Sequence, residues 1–136
     1  MSRMAAATKV QVSTEFKFDV AHIESGVPLA AMSRFVSVSG VPLSEIYNIV
    51  IPARTLKHRR ARRQRLSIDE SDKLARLVRV FQKAEKVFGD TAIAHDWLAT
   101  PKKRFDSRTP MDMLRTEVGA RRVEEMLGQI DHGMFA

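Results

Sequence analysis

Residues 53–65 read ARTLKHRRARRQR, and this stretch decides how the rest of the chain is interpreted. It holds seven Lys and Arg side chains and no acid. The whole chain has 23 Lys and Arg against 16 Asp and Glu, so its charge is balanced once these seven are set aside. Excess charge confined to one segment favours contact with a polyanion, because neutralised phosphates release condensed counterions. A solvated basic helix face is the alternative interpretation.

The prolines around this stretch predict two short helices joined by a tight turn. Pro42 is expected to open the first helix as its first residue, and Pro52 interrupts it after ten residues. A second helix follows from about Ala53, with Leu56 directed towards the core. Two short helices of this kind, the second rich in cations, are typical of a helix-turn-helix.

The second helix is expected to divide its polar side chains between bases and phosphates. The first two turns of a recognition helix are the part that reaches base edges. The predicted base-reading residues are Arg54, Thr55, Lys57 and His58. The predicted phosphate-binding residues, which continue at helical spacing, are Arg59, Arg62 and Arg63. A spectator role for His58 stays open, since no other histidine lies at metal-ligand spacing from it.

Apolar residues at three- and four-residue spacing predict helices before and after this motif. A helix that ends at Gly40 precedes it. Ser67 and Glu70 form a capping box that starts a long helix of about six turns, which ends at Gly89. Three shorter helices follow, the last of which ends at Gly133. The predicted fold class is all-α, with the long helix as the spine between two lobes.

Residues 1–25 carry a different pattern. Apolar and polar residues alternate from Val10 to Val20, which is the period of a half-buried strand. A lone strand has no partner within the chain. The segment is therefore interpreted either as an arm that pairs with another copy of the protein or as a mobile tail.

The sequence carries no pattern typical of an enzyme. The four histidines are scattered, cysteine is absent, and no glycine-rich phosphate loop occurs. His95 and Asp96 are neighbours on a predicted helix, where adjacent side chains point about 100° apart. The prediction is a protein without catalytic residues, metal or cofactor.

Hydropathy places the protein in the cytoplasm. No apolar run approaches the roughly 18 residues that a membrane-spanning helix requires. The N-terminus lacks the apolar region of a signal peptide, and the absence of cysteine fits a reducing compartment. A cytoplasmic protein without membrane attachment is expected.

An ordered series of residues in the C-terminal half carries a family resemblance. The series is Val87, Phe88, Gly89, Ala94, Trp97, Leu98, Pro101, Arg108, Thr109, Pro110, Leu114, Thr116, Glu117, Gly119, Val123, Leu127 and Ile130 to Gly133. In this order it resembles the Xre/ParS/MbcA antitoxin family. Upstream, Arg54, Thr55 and Leu56, followed by Leu66, Ser67, Glu70 and Ser71, resemble the Xre-type helix-turn-helix of the same family.

The resemblance implies a function. Members of this family are antitoxins of type II toxin-antitoxin operons, and their partner is a RES-domain toxin that attacks NAD. The C-terminal domain blocks access to the toxin's active site, and the helix-turn-helix binds operator DNA and represses the operon. Together with the patterns above, the expected organisation is an N-terminal arm over residues 1–25, an Xre-like DNA-binding domain over 26–84 and a toxin-binding domain over 85–136, in a homodimer.

Residues near the end of the chain are expected to contact the toxin, because exposed apolar residues at a terminus often anchor in a partner's pocket. A frayed terminus is the alternative. The predicted toxin-binding residues are Arg108, Thr109, Ile130, His132, Gly133, Met134 and Phe135. Trp97 is expected in the core, with the partner face as the alternative. A stand-alone transcriptional regulator with a dimerising C-terminal domain is the chief alternative function, and an RNA-binding protein has less support.

Two short segments depart from the family pattern. Phe105, Asp106 and Ser107 replace a Leu-Gly-Gly turn, and Asp is among the residues that tolerate a left-handed backbone. Val50 and Pro52 stand where such helix-turn-helix motifs often carry Gly and Ser. These positions are expected to set the geometry of the two turns.

Overall fold

The structure is a computed structural model that describes residues 10–133, and these residues form helices connected by short turns. The helices are α1 Val12–Glu15, α2 Val20–Ser25, α3 Leu29–Ser39, α4 Leu43–Ile49, α5 Ala53–Ala61, α6 Ile68–Phe88, α7 Thr91–Ala99, α8 Pro110–Met113 and α9 Glu117–Asp131, with a 3-10 turn at Lys103–Phe105. Residues 10–133 contain no strand, only an isolated bridge between Lys102 and Arg108. The all-α prediction is confirmed.

Helix α6 is the spine against which the other helices pack. Its capping box is confirmed: the Ser67 hydroxyl accepts from the Glu70 amide at 3.1 Å, and the Glu70 carboxylate accepts from the Ser67 amide at 2.8 Å. It ends where Gly89 adopts a left-handed backbone, φ 72°. Helix α6 contacts α1, α2, α3 and α4 as well as α7 and α9, so it is common to both halves of the chain.

One hydrophobic core runs through both halves. Phe35 of α3 and Phe81 of α6 meet edge to face with their ring centroids 5.8 Å apart. Leu98 of α7 and Leu127 of α9 are fully buried in the same cluster. Full burial of each such side chain contributes roughly 1.5–3 kcal/mol. The two halves therefore stabilise each other through α6.

The N-terminal segment is helical, and the predicted strand is wrong. Val12 and Phe16 are buried, whereas Val10 and Val20 are exposed. The buried pair is four residues apart, so the alternating pattern also contains a helical spacing. The segment packs against α6, and Phe16 meets Phe35 with centroids 5.8 Å apart. Val12 and Phe16 are thus part of the core of this fold, whereas α2 contributes no buried residue to it.

The turns follow the sequence closely, with one small difference. Pro42 is the N-cap of α4, not its first residue, and Pro52 is the N-cap of α5. Asp106 and Ser107 both adopt the left-handed backbone, with φ of 55° and 64°. The turn that replaces Leu-Gly-Gly therefore forms, and Lys102 closes it by donating its amide to the Arg108 carbonyl at 3.1 Å.

A buried arginine fixes the connection between α8 and α9. Arg76 of α6 is 9% exposed, and its guanidinium donates to the carbonyls of Leu114 at 3.2 Å and Arg115 at 3.1 Å. These carbonyls lie beyond the last residue of α8, where no helical amide reaches them. Arg76 therefore holds the C-terminal lobe, residues 91–133, against the spine.

Candidate functional site

Helix α5 presents its first two turns to solvent. Arg54, Lys57 and His58 are exposed, and Thr55 is half-buried. Their spacing of three and four residues places Arg54, Lys57 and His58 on one face. Leu56 points the other way and is 2% exposed in the core. The predicted base-reading residues therefore lie together on the outer side of the second helix of the motif.

The end of α5 differs from the sequence prediction. The helix ends at Ala61, Arg62 is its C-cap, and Arg63 has a left-handed backbone with φ 53°. The prediction that Arg62 and Arg63 continue at helical spacing is wrong. The Arg63 amide bonds to the Arg60 carbonyl at 3.2 Å, and the Gln64 amide bonds to the Arg59 carbonyl at 2.9 Å. This is a Schellman motif, with arginine where glycine is usual.

Arg59 is engaged within the protein. Its Nε and Nη2 donate to Glu70 Oε1 and Oε2 at 2.9 and 3.1 Å, and its Nη1 donates to Gln64 Oε1 at 3.3 Å. The Arg59 and Glu70 side chains are 24% and 11% exposed. A bidentate pair of this kind is among the stronger hydrogen-bonded contacts in proteins. The sequence reveals Glu70 as a capping residue. Its ion pair with Arg59 depends on how residues 62–67 bring the end of α5 next to the start of α6.

The ion pair changes the protonation behaviour of Glu70. Burial by itself raises the pKa of this carboxyl, but hydrogen bonds from Arg59 and from the Ser67 amide outweigh burial. The pKa of Glu70 therefore lies below its ordinary value of 4.5, and the pKa of Arg59 is raised by the same hydrogen bond. The pair is charged at neutral pH.

The connection from α5 to α6 is fixed to the start of α3. The Leu66 amide donates to the Val27 carbonyl at 3.0 Å, and Arg65 Nη1 donates to the Gly26 carbonyl at 3.2 Å.

Arg60 is exposed on α5 and was not among the predicted site residues. Its exposure was not evident from periodicity, because it lies four residues after buried Leu56.

Two predicted partner contacts lie at the start of α8. Thr109 is the N-cap of α8, and its hydroxyl accepts from the Asp112 amide at 3.0 Å. Arg108 is exposed and donates through Nε to Asp112 Oδ2 at 2.8 Å. Asp112 also accepts from Asn48 of α4 at 3.3 Å, so this carboxylate joins the helix-turn-helix to the C-terminal lobe. The hydrogen bond from Arg108 is the main cause that lowers the pKa of Asp112.

The remaining predicted contacts lie at the end of α9. Ile130 is half-buried and lines a shallow, mainly apolar groove of about 300 Å³ with Pro101 and Met126. His132 and Gly133 are exposed beyond the helix. Met134 and Phe135 lie outside the described residues. The predicted contacts therefore form two groups, one at each end of the α8–α9 region.

Trp97 is half-buried and packs on the core. Its ring lies 5.7 Å from that of Phe88, and the Lys102 ammonium lies 4.7 Å from its centroid. Burial lowers the pKa of Lys102. The tryptophan thus joins the core to the cationic 102–108 turn.

Within residues 10–133, no three His, Cys, Asp or Glu side chains lie together as a metal site would require. None of the helices there combines the length and apolar character needed to cross a membrane.

The fold and the cationic face of α5 define a helix-turn-helix protein with an appended helical lobe. Residues 19–79 match the family model described as the antitoxin Xre-like helix-turn-helix domain. Residues 83–133 match the one described as the antitoxin Xre/MbcA/ParS C-terminal toxin-binding domain. Helix α1 lies outside both matches.

Three relatives, each called Antitoxin Xre, extend these matches. The chain is 51% identical over 84 residues to the protein of Pseudomonas putida, 38% over 100 residues to that of Yersinia enterocolitica and 32% over 116 residues to that of Photorhabdus laumondii. The matches cover 62%, 72% and 84% of this chain, and 53%, 68% and 78% of the relatives. The chain belongs to the Xre antitoxin family, which confirms the resemblance.

Proposed function

We propose that this chain is an antitoxin that neutralises a RES-domain toxin, an NAD-degrading protein, and represses its own operon. The observation that carries the proposal is that two different surfaces are built on one hydrophobic core. A cationic helix faces outward from a helix-turn-helix, and the helical lobe packed on the same spine matches a toxin-binding domain. The mechanism needs complementary surfaces and neither cofactor nor catalysis.

The DNA-binding part of the proposal assigns residues 26–84 to operator recognition. Arg54, Thr55, Lys57 and His58 would read base edges from the first turns of α5. Arg62 and Arg63 would contact phosphates from the turn that follows the helix. Both arginines are exposed, and neither side chain has a hydrogen-bond or ion-pair partner among residues 10–133.

The toxin-binding part assigns residues 85–136 to steric occlusion. Arg108 and Thr109 at the start of α8 and Ile130, His132 and Gly133 after the middle of α9 would lie against the toxin. Met134 and Phe135, which lie outside the described residues, are proposed as toxin contacts with them. A homodimer would bring two such lobes, and two cationic helices, into one complex, which suits a two-fold symmetric operator.

The toxin assignment is tested by co-expression with the RES-domain protein encoded next to this chain. We expect the antitoxin to restore growth and cellular NAD, whereas a chain that ends at Gly133 gives less protection. The truncated chain serves as its own control, because its DNA binding should be unchanged. Equal toxicity with and without the full chain would contradict the assignment and favour the stand-alone regulator.

The DNA assignment is tested with a labelled duplex from the region upstream of the gene and a scrambled duplex of equal length. We expect preference for the upstream duplex. Changing Arg62 and Arg63 to Ala should weaken binding to both and lower the salt slope by up to about two units. An unchanged slope would refute their phosphate role.

Light scattering on the protein without DNA reports whether its mass in solution is twice that of the 15.4 kDa chain.

A further inference from the structure

We infer that Arg59 is a positioning residue, which orients the recognition helix through Glu70 instead of contacting phosphate. The inference rests on the proposed DNA-binding function. It changes the assignment of one of the seven cations in the 53–65 stretch. It also gives an acidic residue, Glu70, a role in binding a polyanion.

The geometry at Arg59 leaves few guanidinium N–H donors free for a phosphate. Each of its three guanidinium nitrogens already donates to an oxygen of Glu70 or Gln64 within 3.3 Å. The side chain is 24% exposed, whereas Arg60 and Arg62 on either side of the helix end are exposed. A phosphate that took the bidentate position on Nε and Nη2 would have to displace the Glu70 carboxylate, which already occupies it.

Glu70 is a rigid point of attachment. It lies in the first turn of the 21-residue spine, and its Oε1 also accepts from the Ser67 amide at 2.8 Å. The neighbouring Ser71 is buried, and its Oγ accepts from the Val27 amide at 2.8 Å. The last turn of α5 is thereby fixed to the part of α6 that is itself bound to the start of α3.

The two ends of α5 are held by different means. Leu56 anchors the N-terminal half in the core, where it is 2% exposed. The C-terminal half has no buried apolar residue after Leu56, so the Arg59–Glu70 pair is its main attachment. Loss of the pair would let the helix end move, and base contacts made from Arg54 and Lys57 depend on the direction of the helix axis.

Two variants, neither of which removes a positive charge, separate positioning from phosphate contact. Arg59→Lys keeps the cation but cannot form the bidentate pair. Glu70→Gln keeps the capping box, because Gln suits that position, and makes the protein more positive. Positioning predicts that both weaken binding to the upstream duplex, roughly tenfold, with the salt slope unchanged. The double variant should lose no more than the larger single loss.

A phosphate contact predicts the opposite pattern. Arg59→Lys would then bind almost as the unaltered chain does, Glu70→Gln would bind more tightly, and Arg59→Gln would lower the salt slope by about one. That pattern would overturn the inference. Arg60→Gln is the matched control, because this exposed neighbour should lower the slope without any dependence on Glu70.

Two measurements keep the outcomes distinct. Chemical unfolding shows that each variant is folded under the binding conditions, and a loss of stability with unchanged DNA affinity would reduce the pair to a structural one and overturn the inference. Should the unaltered chain bind neither duplex, the proposed DNA-binding function fails and the inference fails with it. Preference of the unaltered chain for the upstream duplex separates the two failures.

Discussion

The Glu85 carboxylate caps the helix that begins at Val12, with 3.0 Å between Oε2 and the Val12 amide nitrogen, across 73 residues of sequence. Oε1 accepts from the Ser13 amide at 2.6 Å, and the Thr91 hydroxyl donates to Oε2 at 2.7 Å. Glu85 is 3% exposed. A carboxylate at a helix N-terminus interacts favourably with the free amides there. One side chain of the spine thus joins α1 to α7.

Glu85→Ala should lower the free energy of unfolding by about 1–3 kcal/mol, because buried amides of α1 and the Thr91 hydroxyl lose their acceptor. Urea unfolding followed by circular dichroism measures this change. Glu125→Ala, an exposed acid on α9, is the control and should change stability by less than about 0.5 kcal/mol. Equal effects of the two substitutions would show that the cap contributes nothing specific.

Arg63→Gly should stabilise the fold and weaken DNA binding at the same time. A left-handed backbone costs most residues roughly 1–2 kcal/mol, and glycine avoids that cost but adds freedom to the unfolded chain. We expect a net gain of about 0.5–1 kcal/mol, with a salt slope lower by about one.

Arg62→Gly is the matched control for this substitution. Arg62 has φ −94°, an ordinary value, so glycine there should lose stability. Its effect on the salt slope should equal that of Arg63→Gly. Stabilisation by both glycines would show that the backbone of Arg63 is not the cause.

The two glycines of α9 should respond in opposite directions to alanine. A Cβ at Gly119 would lie far inside contact distance of the Met113 carbonyl oxygen, and 3.1 Å from the Thr116 hydroxyl that caps the helix. Gly119→Ala should therefore destabilise the protein by about 1–3 kcal/mol. A Cβ at Gly128 meets only the Lys83 ammonium, at 3.8 Å, so Gly128→Ala should stabilise it by up to about 1 kcal/mol. Thermal unfolding distinguishes the two, and a stabilised Gly119→Ala would contradict the close approach.

Stability should depend on pH through Glu70. Because the pKa of Glu70 is lower in the folded state than its ordinary value of 4.5, the folded chain holds this proton less tightly than the unfolded chain. The stabilisation is complete above about pH 4.5 and is lost as pH falls through the folded-state pKa.

Unfolding of the unaltered chain and of Glu70→Gln across this range measures the effect. The difference between them should shrink as pH falls below about 4.5, and it should depend less on pH when both carry Arg59→Gln. A difference that grows with acidity would contradict the direction of the pKa change.

Residues that start or end helices made most of the fold predictable. Gly40, Pro52 and Gly89 bound helices where the sequence indicates, and Ser67 caps α6 as expected. These signals are local, because a left-handed backbone or a missing amide belongs to the residue itself. The exposed face of α5 was predictable for the same reason, since Leu56 alone determines which side is buried.

Contacts between distant segments were not predictable in this way. The Val12 and Phe16 pair fits both a strand and a helix, and the choice depends on Glu85 and on Gln82 of α6, whose amide donates to the Val12 carbonyl at 3.1 Å. Arg59 appeared as one cation among seven because its partner, Glu70, already had a local role. Single-sequence periodicity does not report such second partners.

The two family matches meet within α6, between residues 79 and 83, with no linker between them. If one half were exchanged with that of a relative, α6 would consist of segments from two proteins. Its side chains would then pack against residues with which they did not evolve. We expect such chimaeras to fold poorly even when each half is sound. Evolution of a new operator or a new toxin partner in this protein must proceed by changes at the surface, with the shared spine inherited whole.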